Sequence, residues 1–110
     1  MATTYKVLAQ FAPTVTAYPS VVYTVPSSTS AVVSTVSICN RGTTPSTYTL
    51  AVLQSGGSTE DKIYVTYDAP IAANETIFLT VGMTLATGDS VYIRPSNANL
   101  TVNMFGSEIS

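Results

Sequence analysis

Histidine and tryptophan are absent from this 110-residue chain, cysteine occurs once, and only four Lys or Arg and six Asp or Glu residues carry charge. Each shortage removes a class of chemistry. Without histidine there is no His-based triad, no imidazole metal ligand and no side chain whose ordinary pKa suits proton transfer near neutrality. The single Cys39 excludes an intrachain disulfide. Standing in a strand-like run with no partner base, it reads as a buried, inert thiol. Lys6, Arg41, Lys62 and Arg94 are scattered along a chain of net charge −2. Such a set builds no phosphate-tracking surface, so nucleic acid is not an expected partner. No apolar run approaches the length of about 18 residues that a membrane helix needs. The amino terminus also lacks a basic region followed by an apolar stretch, so neither membrane insertion nor export is expected. Asn74-Glu75-Thr76 and Asn99-Leu100-Thr101 match the glycosylation pattern and, without an export signal, read as coincidence.

The few carboxylates offer little more. Glu60 and Asp61 sit beside "SGGST" as a solvated turn, and Asp68, Glu75 and Asp89 flank turns, where acidic side chains cap backbone groups. A calcium site would need several such oxygens to converge. "SGGS" lacks the lysine and the following helix of a phosphate-cradling loop. The expectation is a protein that is not an enzyme, with no cofactor and no metal.

What the chain does have is hydroxyls and alternation. It holds 18 Thr and 13 Ser, 45% hydrophobic residues and only 9% charged ones, against roughly 25% charged in ordinary soluble domains. Thr, Val and Tyr favour strands, and strong helix formers are few. Apolar residues recur with period two. In "YKVLAQF", Tyr5, Val7, Ala9 and Phe11 share one face. From Ala31 to Asn40, Val32, Val36 and Ile38 point one way and Thr35 and Ser37 the other. Tyr48, Leu50 and Val52 oppose Thr47, Thr49 and Ala51. Ile63, Val65 and Tyr67 oppose Tyr64, Thr66 and Asp68, and Ile77, Leu79 and Val81 oppose Thr76, Phe78 and Thr80. Val91 and Ile93, then Leu100, Val102 and Met104, complete the inward set.

Turns rich in Gly, Pro, Asn and Ser divide these runs at intervals of about ten residues, which gives about seven to nine strands. Strands apolar on one face belong in antiparallel sheets with one solvated side, and two such sheets make a sandwich. The predicted fold is therefore all-β, a single antiparallel β-sandwich of jelly-roll or immunoglobulin-like topology. Residues 1–20 form an N-terminal strand and a candidate extended arm, with Pro13 and Pro19 bracketing "TVTAY". Residues 21–110 form the sandwich body, one domain overall. Within it "VVYTVPSSTSAVVSTVSICNRG", Val21 to Gly42, reads as two consecutive strands whose Val and Ile side chains supply core, each worth roughly 1.5–3 kcal/mol when buried.

Function is then left to outward faces and loops. Tyr64, Phe78, Tyr92 and Phe105 fall opposite the core set of their strands, and Tyr18 lies between prolines; aromatic residues on a Thr/Ser surface are favoured at protein interfaces. These five are the candidate interface residues. A charge-poor sandwich has few side chains with which to protect its sheet edges, and closing them in a homo-oligomer, with a trimer as the working stoichiometry, answers that need.

Residues 23–41 carry a resemblance. A Tyr23-Thr24-Val25-Pro26 start, a small Ser/Thr turn and a Val-rich strand ending in Cys39-Asn40-Arg41 resemble small virion structural proteins of tailed phages, cyanophages especially. "IAANETIFLTVGMTLATGDSVYI", the closing "LTVNMFGSEI" and the opening "MATTYKVLAQ" are similar to the same pattern, so the likeness spans nearly the whole chain. It implies a role in a particle rather than a reaction: a capsid decoration (cement) protein, or a module of tail, neck or fibre. It implies the major capsid protein as partner, a virion location, and structural work for Asn40 and Arg41 in holding the strand-to-turn transition. A host-carbohydrate-binding sandwich, with Tyr64 and Tyr92 stacking on sugars, is the alternative from another class.

Overall fold

The computed structural model describes residues 2–13, 20–57 and 63–110. Eight strands run through them: β1 (Thr3–Phe11), β2 (Ser20–Thr24), β3 (Ser30–Asn40), β4 (Ser46–Leu53), β5 (Tyr64–Ile71), β6 (Thr76–Leu85), β7 (Ser90–Pro95) and β8 (Leu100–Ile109). They form two four-stranded antiparallel sheets of order β1-β8-β3-β6 and β2-β7-β4-β5. Between the two sandwich topologies left open by the sequence, this order is the jelly roll: the chain passes from sheet to sheet so that its last strand lies beside its first. The two runs of Val21–Gly42 are consecutive in the chain but lie in different sheets. β1 pairs with β8 along its length, which makes it part of the same body as residues 21–110. The arm expected around Tyr18 falls on residues 14–19, outside the described residues.

Between the sheets Val33, Val36, Ile38, Leu50, Ile71, Val91, Ile93, Leu100, Val102 and Met104 are buried. In β4, β7 and β8 the inward residues are those that simple alternation selects. Ile77 and Leu79 of β6 also pack against this core.

Strands β1, β3 and β5 depart from the alternation read in the sequence, each at a β-bulge. In β1 the register shifts between Val7 and Ala9. Leu8, the extra residue, is buried, Ala9 and Phe11 pack on the core, and Tyr5 and Val7 point to solvent; the four do not share one face. In β3 a shift at Ser34 sends Ala31 and Val33 inward alongside Val36 and Ile38, which turns Val32 to the outer face with Thr35. In β5 shifts opposite Thr49 and at Val65 leave Val65 and Tyr67 exposed. An extra residue reverses the facing of everything beyond it, and no period-two count survives that.

Bulges also settle how the edges are protected. The edge strands are β1 and β6 in one sheet and β2 and β5 in the other. Each carries an irregularity against its inner neighbour: at Leu8, at Val22, at Tyr67–Asp68 and at Val81–Gly82. Asp68 (φ 46°) and Gly82 (φ 57°) take the left-handed conformation within theirs, a region open to glycine and tolerated by aspartate. Pro70 lies on the β5 edge, where its missing N–H costs least. A bulged edge bends away from the flat template that another strand would need. The backbone thus supplies protection that scarce charges cannot.

The two charges of the β1-β8-β3-β6 sheet lie on its inward positions. Glu108 of β8 accepts a hydrogen bond from the Tyr23 hydroxyl of β2 in the facing sheet, and Lys6 of β1 lies 3.2 Å from its Oε1. Tyr23 is held on the core and its phenol is pushed above its usual pKa, by burial first and then by its bond to Glu108. Its hydrogen bond, with a smaller contribution from Lys6, holds the Glu108 carboxyl below the usual range against the opposing effect of burial. A depressed carboxyl contributes stability above its unfolded pKa that is lost as pH falls through the folded value. Glu108→Gln keeps a neutral acceptor for Tyr23, so it should lose about 1 kcal/mol at pH 7. Urea titrations of both proteins are expected to converge as the medium is acidified below the folded pKa; a gap unchanged with pH would refute the ionised pair.

Candidate functional site

With the core accounted for, chemistry has to be sought among the carboxylates, Cys39 and the two outer sheet faces. Glu75 Oε1 accepts the Ala72 N–H, and Asp89 accepts the N–H groups of Ser55 and Ala86 through separate oxygens. Both are turn caps, as expected. Asp68 is not; it stands in the β5 bulge and pairs with Arg94. Glu60 and Asp61 lie outside the described residues. Cys39 is half-buried rather than buried, and stands opposite Thr76 and Thr101 on an outer face. Among the described residues no three His, Cys, Asp or Glu side chains gather as metal ligands.

The outer face of the β1-β8-β3-β6 sheet is uncharged. Its cross-strand rows run Tyr5–Ser107–Val32–Thr84, Val7–Phe105–Thr35–Thr80 and Gln10–Asn103–Ser37–Phe78. Tyr5 is 84% exposed, Phe78 69%, Val7 46% and Phe105 39%. Val7 and Phe105 are direct partners, and Tyr5 and Phe78 stand on opposite edge strands of the same face. Large apolar side chains on a surface otherwise made of hydroxyls and amides, with no charge among them, have the composition of a protein contact.

The outer face of β2-β7-β4-β5 is built differently. One row runs Val21–Tyr92–Ala51–Tyr64. Ala51 faces outward yet is 1% exposed, and the two half-buried tyrosines flank it. The next row centres on buried Thr49, opposite Arg94 on β7 and the bulge on β5. The Tyr64 and Tyr67 rings meet edge to face at 4.9 Å, and the Arg94 guanidinium lies 5.4 Å from the Tyr67 ring centre. Arg94 Nη2 is 3.2 Å from Asp68 Oδ1. Contact with Tyr67 first, then the Asp68 carboxylate, raises the Arg94 pKa further above its usual value.

The chain matches no family model, no curated protein and no solved structure. The reading of the surface therefore rests on geometry. Of the five residues singled out from sequence, Phe78 and Phe105 lie on one outer face and Tyr64 and Tyr92 on the opposite one, so they form two groups rather than one site; Tyr18 is outside the described residues. Tyr5, Val7 and Tyr67 escape sequence reasoning because a bulge reverses each of them. Arg94 and Asp68 escape it because their pairing depends on strand order. Pro70 is the one local sign that β5 is an edge strand open to irregularity.

Asn40 and Arg41 hold the transition from β3 into the loop that follows it. Asn40 Nδ2 donates to the carbonyls of Thr44 and Ala72, and its Oδ1 accepts the Gly42 N–H. Arg41 donates from Nη2 to the Ala98 carbonyl and from its backbone to that of Asn99. Three loops are tied at one point by these two residues.

Proposed function

We propose that this protein is a non-enzymatic virion structural protein, a capsid decoration (cement) protein that seats on the outer shell as a homo-oligomer and holds neighbouring major capsid subunits together. The observation that carries the reading is the uncharged outer face of β1-β8-β3-β6, which presents Tyr5, Val7, Phe78 and Phe105 together. The phage-like pattern of the sequence supports the particle as the setting, and the absence of histidine argues against a reaction as the purpose. Burial of such faces by several linked copies multiplies weak contacts into firm attachment, because one copy's release leaves the others bound. Affinity from apolar burial between neutral surfaces has little dependence on ionic strength, unlike attachment through charge.

Particles stripped of the protein should release their DNA at lower temperature or lower osmotic stress, and adding it back in high salt should restore the threshold. Phe78→Glu is expected to fold normally and fail to restore it. Equal rupture thresholds with and without the protein would rule out cementing. A copy number near a dozen per particle, in place of hundreds, would move the protein to the tail, neck or fibre. Light scattering that shows a monomer at micromolar concentration would remove the proposed trimer.

A further inference from the structure

We propose that the outer face of the β2-β7-β4-β5 sheet is a binding site for neutral saccharides, in which Tyr67 receives the C–H face of a sugar ring and the Asp68–Arg94 pair takes two adjacent hydroxyls. The proposal is independent of the role assigned to the opposite sheet.

The site is held from beneath by a buried hydroxyl. Thr49 is 1% exposed. Its Oγ1 donates to Asp68 Oδ1 at 3.3 Å and accepts from the Asp68 N–H at 3.0 Å and from Arg94 Nη2 at 3.3 Å. The carboxylate and the guanidinium are thus fixed to each other and to one buried anchor before any ligand arrives, which removes part of the ordering cost of binding. Asp68 sits in the left-handed conformation that the bulge requires, and this places its side chain beside Tyr67 rather than on the opposite face.

The pair keeps hydrogen-bonding capacity in reserve. Asp68 Oδ1 takes the bonds from Thr49 and Arg94; Oδ2 has no partner among the described residues, and the Asp68 side chain is 55% exposed. Of the five N–H donors of a guanidinium, those on Nη2 serve Thr49 and Asp68. An acceptor oxygen and N–H donors side by side match a vicinal diol, one hydroxyl donating to Asp68 and its neighbour accepting from Arg94. Next to them Tyr67 is 61% exposed, with Tyr64 set against it edge to face.

The same features select against other ligands. The pair is neutral overall, so a phosphate or a carboxylate would have to compete with Asp68 for Arg94. A protein partner covering the pair would strip water from two charges, a large penalty unless each is bonded anew. Sugar hydroxyls replace that water bond for bond. The neutral, apolar face that suits a protein is on the other sheet.

Affinity electrophoresis of the intact chain through gels containing dextran, starch, mannan, galactan or hydroxyethyl cellulose tests the site. At least one polysaccharide should retard the protein, with amide shifts in nuclear magnetic resonance confined to Tyr64–Asp68, Thr49 and Arg94. Tyr67→Ala and Asp68→Asn should each weaken retardation about tenfold or more, while Phe78→Ala on the opposite sheet leaves it unchanged. Should Tyr67→Ala fail to fold, Asp68→Asn carries the result, because asparagine also tolerates the left-handed backbone. No retardation by any of the five polymers would overturn the proposal. So would retardation indifferent to Asp68→Asn, or loss of shell attachment in Asp68→Asn without sugar binding, which would make this face a protein contact.

Discussion

Replacing Gly106 by alanine should destabilise the fold by about 3 kcal/mol or more, at the upper end of overpacking effects. Gly106 lies in β8 between Lys6 of β1 and Val33 of β3. A Cβ there would collide with the Val32 carbonyl oxygen and stand 3.0 Å from its carbon and 3.1 Å from Leu8 Cδ1. The first two atoms are backbone in a central strand of the sheet, so relief requires β3 and β8 to part where they carry hydrogen bonds. For a chain of this length the loss corresponds to a fall in Tm of about 12 °C. Gly82→Ala is the matched comparison. Its φ of 57° strains an alanine, but no atom lies within 4 Å of the added Cβ, and about 1–2 kcal/mol is expected. Thermal melts that rank the two variants equally would refute the close approach at Gly106.

Asn40→Ala should be of similar severity, about 3 kcal/mol. The side chain is fully buried and makes three hydrogen bonds, so truncation takes the partner from the Thr44 carbonyl and the Gly42 N–H and one of two bonds from the Ala72 carbonyl, which keeps the Glu75 N–H. Asn40→Asp is the sharper variant, since it sets a carboxylate against the Thr44 and Ala72 carbonyls. Burial and those oxygens would raise its pKa above the unfolded value. The folded state then binds the proton more tightly, and stability should fall as pH rises through that range. Urea midpoints of Asn40→Asp that improve on acidification, while those of Asn40→Ala do not, are the expected result; parallel pH profiles would count against the network.

The regular strands are legible in the amino-acid pattern alone. β4, β7 and β8 bury the residues that period-two reading assigns, because their runs are unbroken and their turns are marked. The two-layered body follows from the same reading. Sheet order does not, since Val, Ile and Thr spacing carries no information on which strand neighbours which. A period-two count misjudges the facing of β1, the first half of β3 and β5 for one reason: a single extra residue at Leu8, Ser34 or Val65 has no composition of its own. The surface suffers most from this. Phe78 and Phe105 are legible because they lie beyond the irregular positions of their strands or on strands without one, whereas alternation assigns Tyr67 inward. The joint action of Thr49, Asp68 and Arg94 is a property of three strands brought together by the jelly-roll order, and no one of those strands announces it.

Interrupted rims have a consequence for crowding. On a shell of the kind proposed, hundreds of copies held shoulder to shoulder would reach a local concentration at which smooth-sided sheets zip into continuous ribbons. Here each rim breaks step with any incoming chain, at Leu8, Val22, Asp68 or Gly82. Neighbours can crowd like separate tiles, each free to be set down or lifted off without fusing to the next.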